Sequence, residues 1–451
     1  MKIEEKNYVF LVALHILIGV AIYSNLFLSK IYSLLLFLVG LYFVIKTRNK
    51  NNEVLYASAY IIGSEVFLRM TDGNPNHEFA KYSVIIFLVM GMIYSGISKN
   101  ATAYWLYLIL LIPGVIIGVY ALDYGANIRK AIAFNISGPA CLGIAALYCF
   151  NRKIAISQIN NLLLVMGLPI ISCATYLYLF TPNIKAALVT GTGSNGELSG
   201  GFGPNQVATI LGLGMFIFFT RLIFSSKSKV IFIINLVLAL YISYRGMLTF
   251  SRGGMITGFV MIIVLLFVIY INSKNTSKLK LNYLIGFLII TMIAVWVFTS
   301  YQTDGFIDKR YANQDALGRT KSDRFTGRGQ IAEEEVDMFL SSPFFGVGVA
   351  KGTEIRTQRR GMIDNFASHN EITRMLAEHG FFGILALLVL FITPLFLYYN
   401  NRQNIFLLCF VIFWLLTINH AAMRTASPCF IYALSLLKVR FDEEETTLHR
   451  K

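Results

Sequence analysis

Charge is scarce in this sequence. Asp, Glu, Lys and Arg make up 14% of its 451 residues, against 56% apolar, where a soluble domain carries about a quarter charged. A water-soluble globular domain is thereby excluded, and a membrane-embedded helix bundle is the expectation. Acid is scarcer still, 24 residues against 39 Lys and Arg, for a formal net charge of +15. The basic residues lie mainly in short connections between apolar runs. There they fit orientation signals and contacts with anionic headgroups, so nucleic acid is rejected as a partner. Few carboxylates fall inside the apolar runs, which weighs against an ion-coupled transporter, whose coupling sites need such groups. The five cysteines, Cys141, Cys149, Cys173, Cys409 and Cys429, all sit in apolar segments without zinc-type spacing and read as packing residues. There is no Walker A motif, no serine-nucleophile elbow, no HExxH helix and no DxD pair, and no cofactor or metal is implied.

What the sequence has in abundance is long hydrophobic runs. A span needs roughly 20 apolar residues, and such runs are expected at 8–28, 31–46, 54–70, 82–97, 102–120, 127–150, 160–180, 204–224, 230–248, 254–272, 281–300, 381–399, 403–420 and 424–439. The fold class is all-α, a polytopic membrane helix bundle of about 12 to 14 transmembrane helices. The first run follows a basic start, is too long for a signal-peptide core, and is expected to be retained as the first span. Lysine and arginine resist translocation. They assign KTRNK (46–50), SKN (98–100), NRK (151–153), RLIFSSKSK (221–229), NSKNTSKLK (272–280), NNRQ (400–403) and the C-terminal tail to the cytoplasmic side. The opposite set is SK (29–30), 69–81, 122–130, the glycine-rich 181–205, the SRGG turn (251–254) and one long polar segment. Three regions follow: a bundle over 1–300, a large outer loop with a short helix over 301–369, and further spans with a tail over 370–451. A loop that long is an unusual connector and a candidate functional element. Within it GRGQIAEEEVDMFLSSP predicts a short amphipathic helix with Ile331, Glu335 and Met338 on one face.

Several residues are placed for chemistry. Arg245 lies about one turn inside the ninth span and Arg252 seven residues on; a persisting helix would put both on one face about 10 Å apart, a separation suited to a multiply charged anion. Arginine inside a membrane is a functional candidate by default, although Arg245 has the alternatives of a carboxylate partner, snorkelling or lipid phosphate. Arg252 stands beside glycines that let backbone approach a ligand. Arg328 opens the loop helix, where free N–H groups and a forked donor suit phosphate, or it pairs with Glu333, Glu334 or Glu335. His369 is poised to take a proton near neutral pH, and Asn370 can hold substrate or cap the following helix. Glu371, Arg374 and Glu378 have the spacing of an intrahelical charge ladder, and Glu65 and Arg69 that of an i, i+4 ion pair. His77 and His420 find no partner in the sequence.

Three of these segments, in order, carry a resemblance: SRGG (251–254), TGR leading to SPFFGVG (326–348), and SHN running into TRMLAEHGFFGIL (368–385). Together they resemble the O-antigen ligase and polymerase superfamily of bacterial membrane glycosyltransferases, over the C-terminal half from about residue 201. The resemblance implies a GT-C-like bundle in the bacterial inner membrane with its active site at the periplasmic face. It implies an inverting, metal-independent transfer of a glycan from undecaprenyl diphosphate to an acceptor, either lipid A-core or a growing glycan. Carried over by position, Arg252 and Arg328, with Arg245 as a further candidate, would bind the diphosphate. His369 would be general base, with Asn370 in support. Where the family often has tryptophan four residues after the loop arginine, this chain has Ala332. Ligase over polymerase rests on the compact loop ending in HN, and a lipid-linked-glycan flippase or exporter is the alternative from another class.

Overall fold

The computed structural model describes residues 5–123, 127–188, 191–321, 328–360 and 368–440. Its helices are α1 (Glu5–Ser24), α2 (Phe27–Thr47), α3 (Glu53–Met70), α4 (Phe79–Ser95), α5 (Thr102–Ala121), α6 (Ile128–Cys149), α7 (Ile156–Phe180), α8 (Ile184–Ala187) and α9 (Pro204–Phe224). They continue with α10 (Lys229–Leu248), α11 (Arg252–Asn272), α12 (Asn275–Gln302), α13 (Phe306–Tyr311), α14 (Arg328–Ser341), α15 (Lys351–Arg360), α16 (Glu371–Asn400), α17 (Leu407–His420) and α18 (Ser427–Ser435). Two short strands, β1 (Lys153–Ala155) and β2 (Lys438–Arg440), pair in parallel. Ten helices among the described residues are long and apolar enough to cross a membrane. The other four apolar runs also form helices: α3, which carries the Glu65–Arg69 pair, and the shorter α4, α17 and α18. The chain is an all-α multi-pass membrane protein.

The connections segregate into two sets, and hydrogen bonds stitch each set together. At one end Asn49 Nδ2 donates to Ser95 Oγ (2.9 Å), Arg152 Nη2 to Gly96 O (2.8 Å), Asn151 N to Leu436 O (2.9 Å) and Asn401 Nδ2 to Leu437 O (2.6 Å). These are the segments that lysine and arginine bias assigned to one side. At the other end Asn195 N donates to Thr249 O (3.0 Å), Lys185 pairs with Asp304 (2.7 Å), and Ala422 N donates to His369 O (3.1 Å).

α9 is the buried hub, packed against α7, α10 and α11, whereas α12 is exposed along nearly its whole length. Close approach of α9 and α11 depends on missing side chains: a Cβ on Gly212 would fall 2.2 Å from Gly254 O, and one on Gly258 would fall 2.3 Å from Gly212 O. Small residues of this kind let helix backbones approach inside a membrane. That contact fixes the start of α11, and with it Arg252.

Three sequence expectations need correction. The helix does not persist from Arg245 to Arg252: α10 ends at Leu248 and Phe250 turns back with φ 56°. Thr249 breaks the helix, its hydroxyl donating to Gly246 O (2.7 Å) and accepting from Ser251 N (3.2 Å). α12 begins at Asn275 and so takes in most of the basic stretch 272–280, its lysines in the first turns. Among its described residues the long loop holds three helices, α13, α14 and α15, where one was expected. The one expected, α14, buries Ile331, Glu335 and Met338, the face read from its spacing.

If the glycine contact sets the position of α11, Gly258→Val should lower the melting temperature in detergent by overpacking, at a cost of about 1–3 kcal/mol. Gly286→Val in α12, where no atom lies within 4 Å of the added Cβ, should not. Equal melting of the two variants would contradict the close approach.

Candidate functional site

A cavity of about 610 Å³ opens among the turn after α10, the start of α11, the end of α13 and the first residue of α14. Its wall includes Ser194, Asn205, Arg252, Arg310, Asn313 and Arg328. Three of the described lining residues are arginines and none is acidic. Arg252 and Arg328, read from separate motifs, therefore reach one cavity, and the structure adds Arg310.

Arg310 is held by neutral oxygens. Arg310, 9% exposed, donates from Nε to Phe250 O (2.7 Å) and from Nη2 to Ser194 Oγ (3.2 Å), so it braces the left-handed Phe250 turn from above. Arg252 Nη1 lies 3.4 Å from Arg310 O, to which it donates. Ser251 donates to Asn205 Oδ1 (2.7 Å) and makes no side-chain cap, so the N-terminal N–H groups of α11 face the same region. Arg328 begins α14 and brings a second helix N-terminus, whose dipole favours an anion. Burial, with Arg252 and Arg328 close by, lowers Arg310 to about 10. Burial and Arg252 lower Arg328 as well. Arg310 remains charged at neutral pH, and a bound anion relieves the repulsion within the cluster.

His369 does not line the cavity but stands beside it. Burial first, then the charges of Arg424 and Arg328 and the neighbouring His420, depress its imidazole to about 3. Among the described residues its Nδ1 has no hydrogen-bond partner. Asn370 is the N-cap of α16, accepting from Ile372 N (2.9 Å) and Thr373 N (3.5 Å), the capping alternative of the sequence reading. Arg424 donates from Nη2 to Ser368 O (2.8 Å). His420 closes against Gly253, where an added Cβ would lie 2.6 Å from its ring. Its Nδ1 faces Leu416 O (2.8 Å) and so carries the proton, leaving Nε2 to accept from Thr209 Oγ1 (3.1 Å).

Other candidates fall elsewhere. Arg245 is 2% exposed and donates from Nη2 to Leu177 O (2.6 Å), packed between α10 and α7 rather than at the cavity. Glu65 and Arg69 form the expected i, i+4 pair at 2.8 Å, which extends to Arg424 O and Ala426 N. Glu371 and Arg374 pair, and Arg374 meets Glu378 at 2.9 Å, completing the ladder. Glu335 pairs with Arg356 (2.9 Å) rather than with Arg328. His77 pairs with Glu78 (2.8 Å). The five cysteines are buried and unbridged. Arg310 and Arg424 were missed by sequence reading: Arg310 is one charge among many in a polar stretch, and Arg424 is a single arginine at the first residue of an expected apolar span. Only the basic end of a six-residue helix hinted at Arg310.

Fold and cavity together define a multi-pass helical membrane protein with a cationic pocket beside a histidine. Residues 234–388 match the family model described as O-Antigen ligase, so the resemblance to that superfamily holds over the stretch that carries Arg252, Arg310, Arg328 and His369. No curated protein matches the chain. The match points to glycosyl transfer of the ligase or polymerase type in a membrane setting.

A pocket built this way should bind a compact polyanion. Inorganic pyrophosphate at low salt should raise the melting temperature of the detergent-solubilised protein, with the rise cut by at least about half in Arg310→Ala and in Arg328→Ala and weakened by salt. An identical rise in the wild type and both variants would remove these arginines from any anion site.

Proposed function

We propose that the protein is an O-antigen ligase-like glycosyltransferase. In this reading it moves a glycan from undecaprenyl diphosphate to an acceptor hydroxyl of lipid A-core, with inversion and without a metal, at the periplasmic face of the bacterial inner membrane. The observation that carries this reading is the meeting of Arg252, Arg310 and Arg328, from three separate stretches of chain, at one cavity beside His369.

As the anomeric carbon–oxygen bond breaks, negative charge grows on the departing diphosphate. Fixed guanidiniums in a poorly hydrated pocket stabilise that developing charge more than the bound substrate, which is the condition for catalysis. Arg252 and Arg328 hold the phosphates in this scheme, with Arg310 as a third contact. His369 takes the proton of the attacking hydroxyl from the opposite side, a contribution of about 10² to 10⁴ in rate. Asn370 supports it by fixing the first turn of α16.

A place for the donor's hydrocarbon supports the same reading. Below the cationic cavity lies an apolar cleft of about 670 Å³ among α9, α10, α11 and α12. On α11 the residues Arg252 and Ile256 of the upper cavity continue into Phe259, Ile263, Leu266 and Tyr270 of the cleft, one stripe at three- and four-residue spacing. An anionic head at Arg252 would leave its chain lying along that stripe.

The field around His369 also couples binding to basicity. Burial first, then the charges of Arg424 and Arg328, hold the imidazole near 3, where it is neutral at physiological pH but a weak base. A bound diphosphate offsets those cations and raises its basicity. The acid limb of kcat, set by the complex, should therefore lie at higher pH than that of kcat/KM, set by the free enzyme. Coincident limbs would separate His369 from the anion site. In assays with lipid-linked glycan, Arg252→Ala and Arg328→Ala should each lose most transfer, with Lys restoring only part because a fork becomes a point charge. Full activity in both would end the diphosphate assignment, and growth of the carrier-bound chain without transfer to the core would make the enzyme a polymerase.

A further inference from the structure

Of the three residues that α14 buries, one is a carboxylate. Glu335 is 1% exposed, and burying a charge costs several kcal/mol unless partners surround it. It has them on both oxygens. Oε1 accepts from Arg356 Nη1 of α15 (2.9 Å), and Oε2 accepts from Thr373 Oγ1 of α16 (2.6 Å) and from Ser368 Oγ (3.2 Å). Ser368 is the residue before His369, and Thr373 lies in the first turn after it. Arg328 stands seven residues before Glu335 on the same helix, about two turns away. One carboxylate thus joins the helix that carries a cavity arginine to the turn that carries the histidine.

That join matters because of what His369 lacks. In catalytic triads a third group orients the base through its ring nitrogen, whereas here Nδ1 makes no hydrogen bond among the described residues. The aim of the ring therefore depends on its backbone. The anchors of that backbone are Ala422 N on His369 O (3.1 Å), Arg424 on Ser368 O (2.8 Å), the Asn370 cap, and Glu335. Among these anchors Glu335 alone lies on α14, the helix that begins with Arg328. A leucine would fill the same face of α14 without fixing either neighbour.

We propose that Glu335 is a positioning residue: by holding Ser368 and Thr373 it sets His369 at a fixed place relative to Arg328, and so sets the base against the leaving diphosphate. This rests on reading His369 as the base.

The test has two arms. In the first, His369 carbethoxylation by diethylpyrocarbonate is followed by mass spectrometry in the wild type, Glu335→Gln, Glu335→Ala and Thr373→Val. The rate should rise several-fold in Glu335→Ala and less in Glu335→Gln and Thr373→Val, while Gly258→Val, a destabilised variant remote from Glu335, stays at the wild-type rate. An unchanged rate in Glu335→Ala, or an equal rise in Gly258→Val, overturns the proposal whatever the enzyme does.

In the second arm, kcat and donor KM are measured for the same Glu335 variants with and without His369→Ala. Alone, Glu335→Ala should lower kcat about 10- to 100-fold, as misplacement by about 1 Å does, with donor KM little changed and Glu335→Asp restoring part. Beside His369→Ala it should cost no further kcat, because a residue acting through His369 has nothing left to position. The same loss in both backgrounds, or a KM effect alone, overturns the proposal. Should Glu335→Ala fail to fold, Thr373→Val and Ser368→Ala each remove one donor to the same carboxylate and decide the matter. Wild-type protein without transfer would sink the functional reading and leave the modification arm to judge the positional link.

Discussion

Three guanidinium groups gathered at one cavity repel each other, and much of that end of the molecule is arranged to hold them there. Arg310 is fixed by the carbonyl of Phe250 and the hydroxyl of Ser194, and Arg252 reaches the carbonyl of Arg310. The Phe250 backbone is left-handed, a conformation that costs of order 1 kcal/mol for such a residue and persists only when its surroundings impose it. Here Arg310 does part of the imposing. Below the turn, glycines let α11 lie against α9, so the arginine at its first position stands beside the most buried of the ten long apolar helices. A site meant to stabilise growing charge needs such fixed donors, since dipoles that must reorient during the reaction give little.

Arginines paired with carboxylates stand apart from those at the cavity. Arg69 pairs with Glu65, Arg374 with Glu371 and Glu378, and Arg356 with Glu335. The Arg356–Glu335 pair joins α15 to α14, while the others lie within α3 and within α16. Breaking one would leave a buried charge uncompensated, at about 3–5 kcal/mol, so they act as rivets rather than as chemistry. Arg310 at the cavity is held instead by a carbonyl and a hydroxyl oxygen, which orient a guanidinium without cancelling its charge.

Sequence carried much of this because the relevant signals were local. The face of α14 followed from the spacing of Ile331, Glu335 and Met338, and the ladder of α16 from that of Glu371, Arg374 and Glu378. Arg252 and Arg328 stood out by the glycines beside them, and they do meet. What escaped depended on contacts between distant stretches. Arg310 reaches the site through Phe250 and Ser194, 60 and 116 residues away in the chain, and no pattern around it announces that. Arg245 misled for the opposite reason: a charge inside an apolar run is a functional candidate by default, yet a single carbonyl on α7 and tight packing account for its place. α15 is polar throughout, so its helix had no apolar stripe to reveal it.

The electrostatics of the site carry one further step under the proposed function. A transferase that handles an activated glycan beside water must keep its base from acting on water before the acceptor arrives. Burial first, then Arg424 and Arg328, depress His369, and of these Arg328 is a group that would bind the donor. Donor binding brings negative charge to Arg328 and its neighbours, and the same neutralisation that relieves their repulsion returns basicity to the imidazole. Binding and activation are then one electrostatic event. This coupling requires no moving lid; it requires only that the histidine lie close enough to feel the arginines and far enough from the cavity wall to leave the phosphates to them. A base inside the cluster would compete for the anion, and one remote from it would be indifferent to donor binding. The position beside the cavity, with its backbone tied to the helix that bears Arg328, meets both demands.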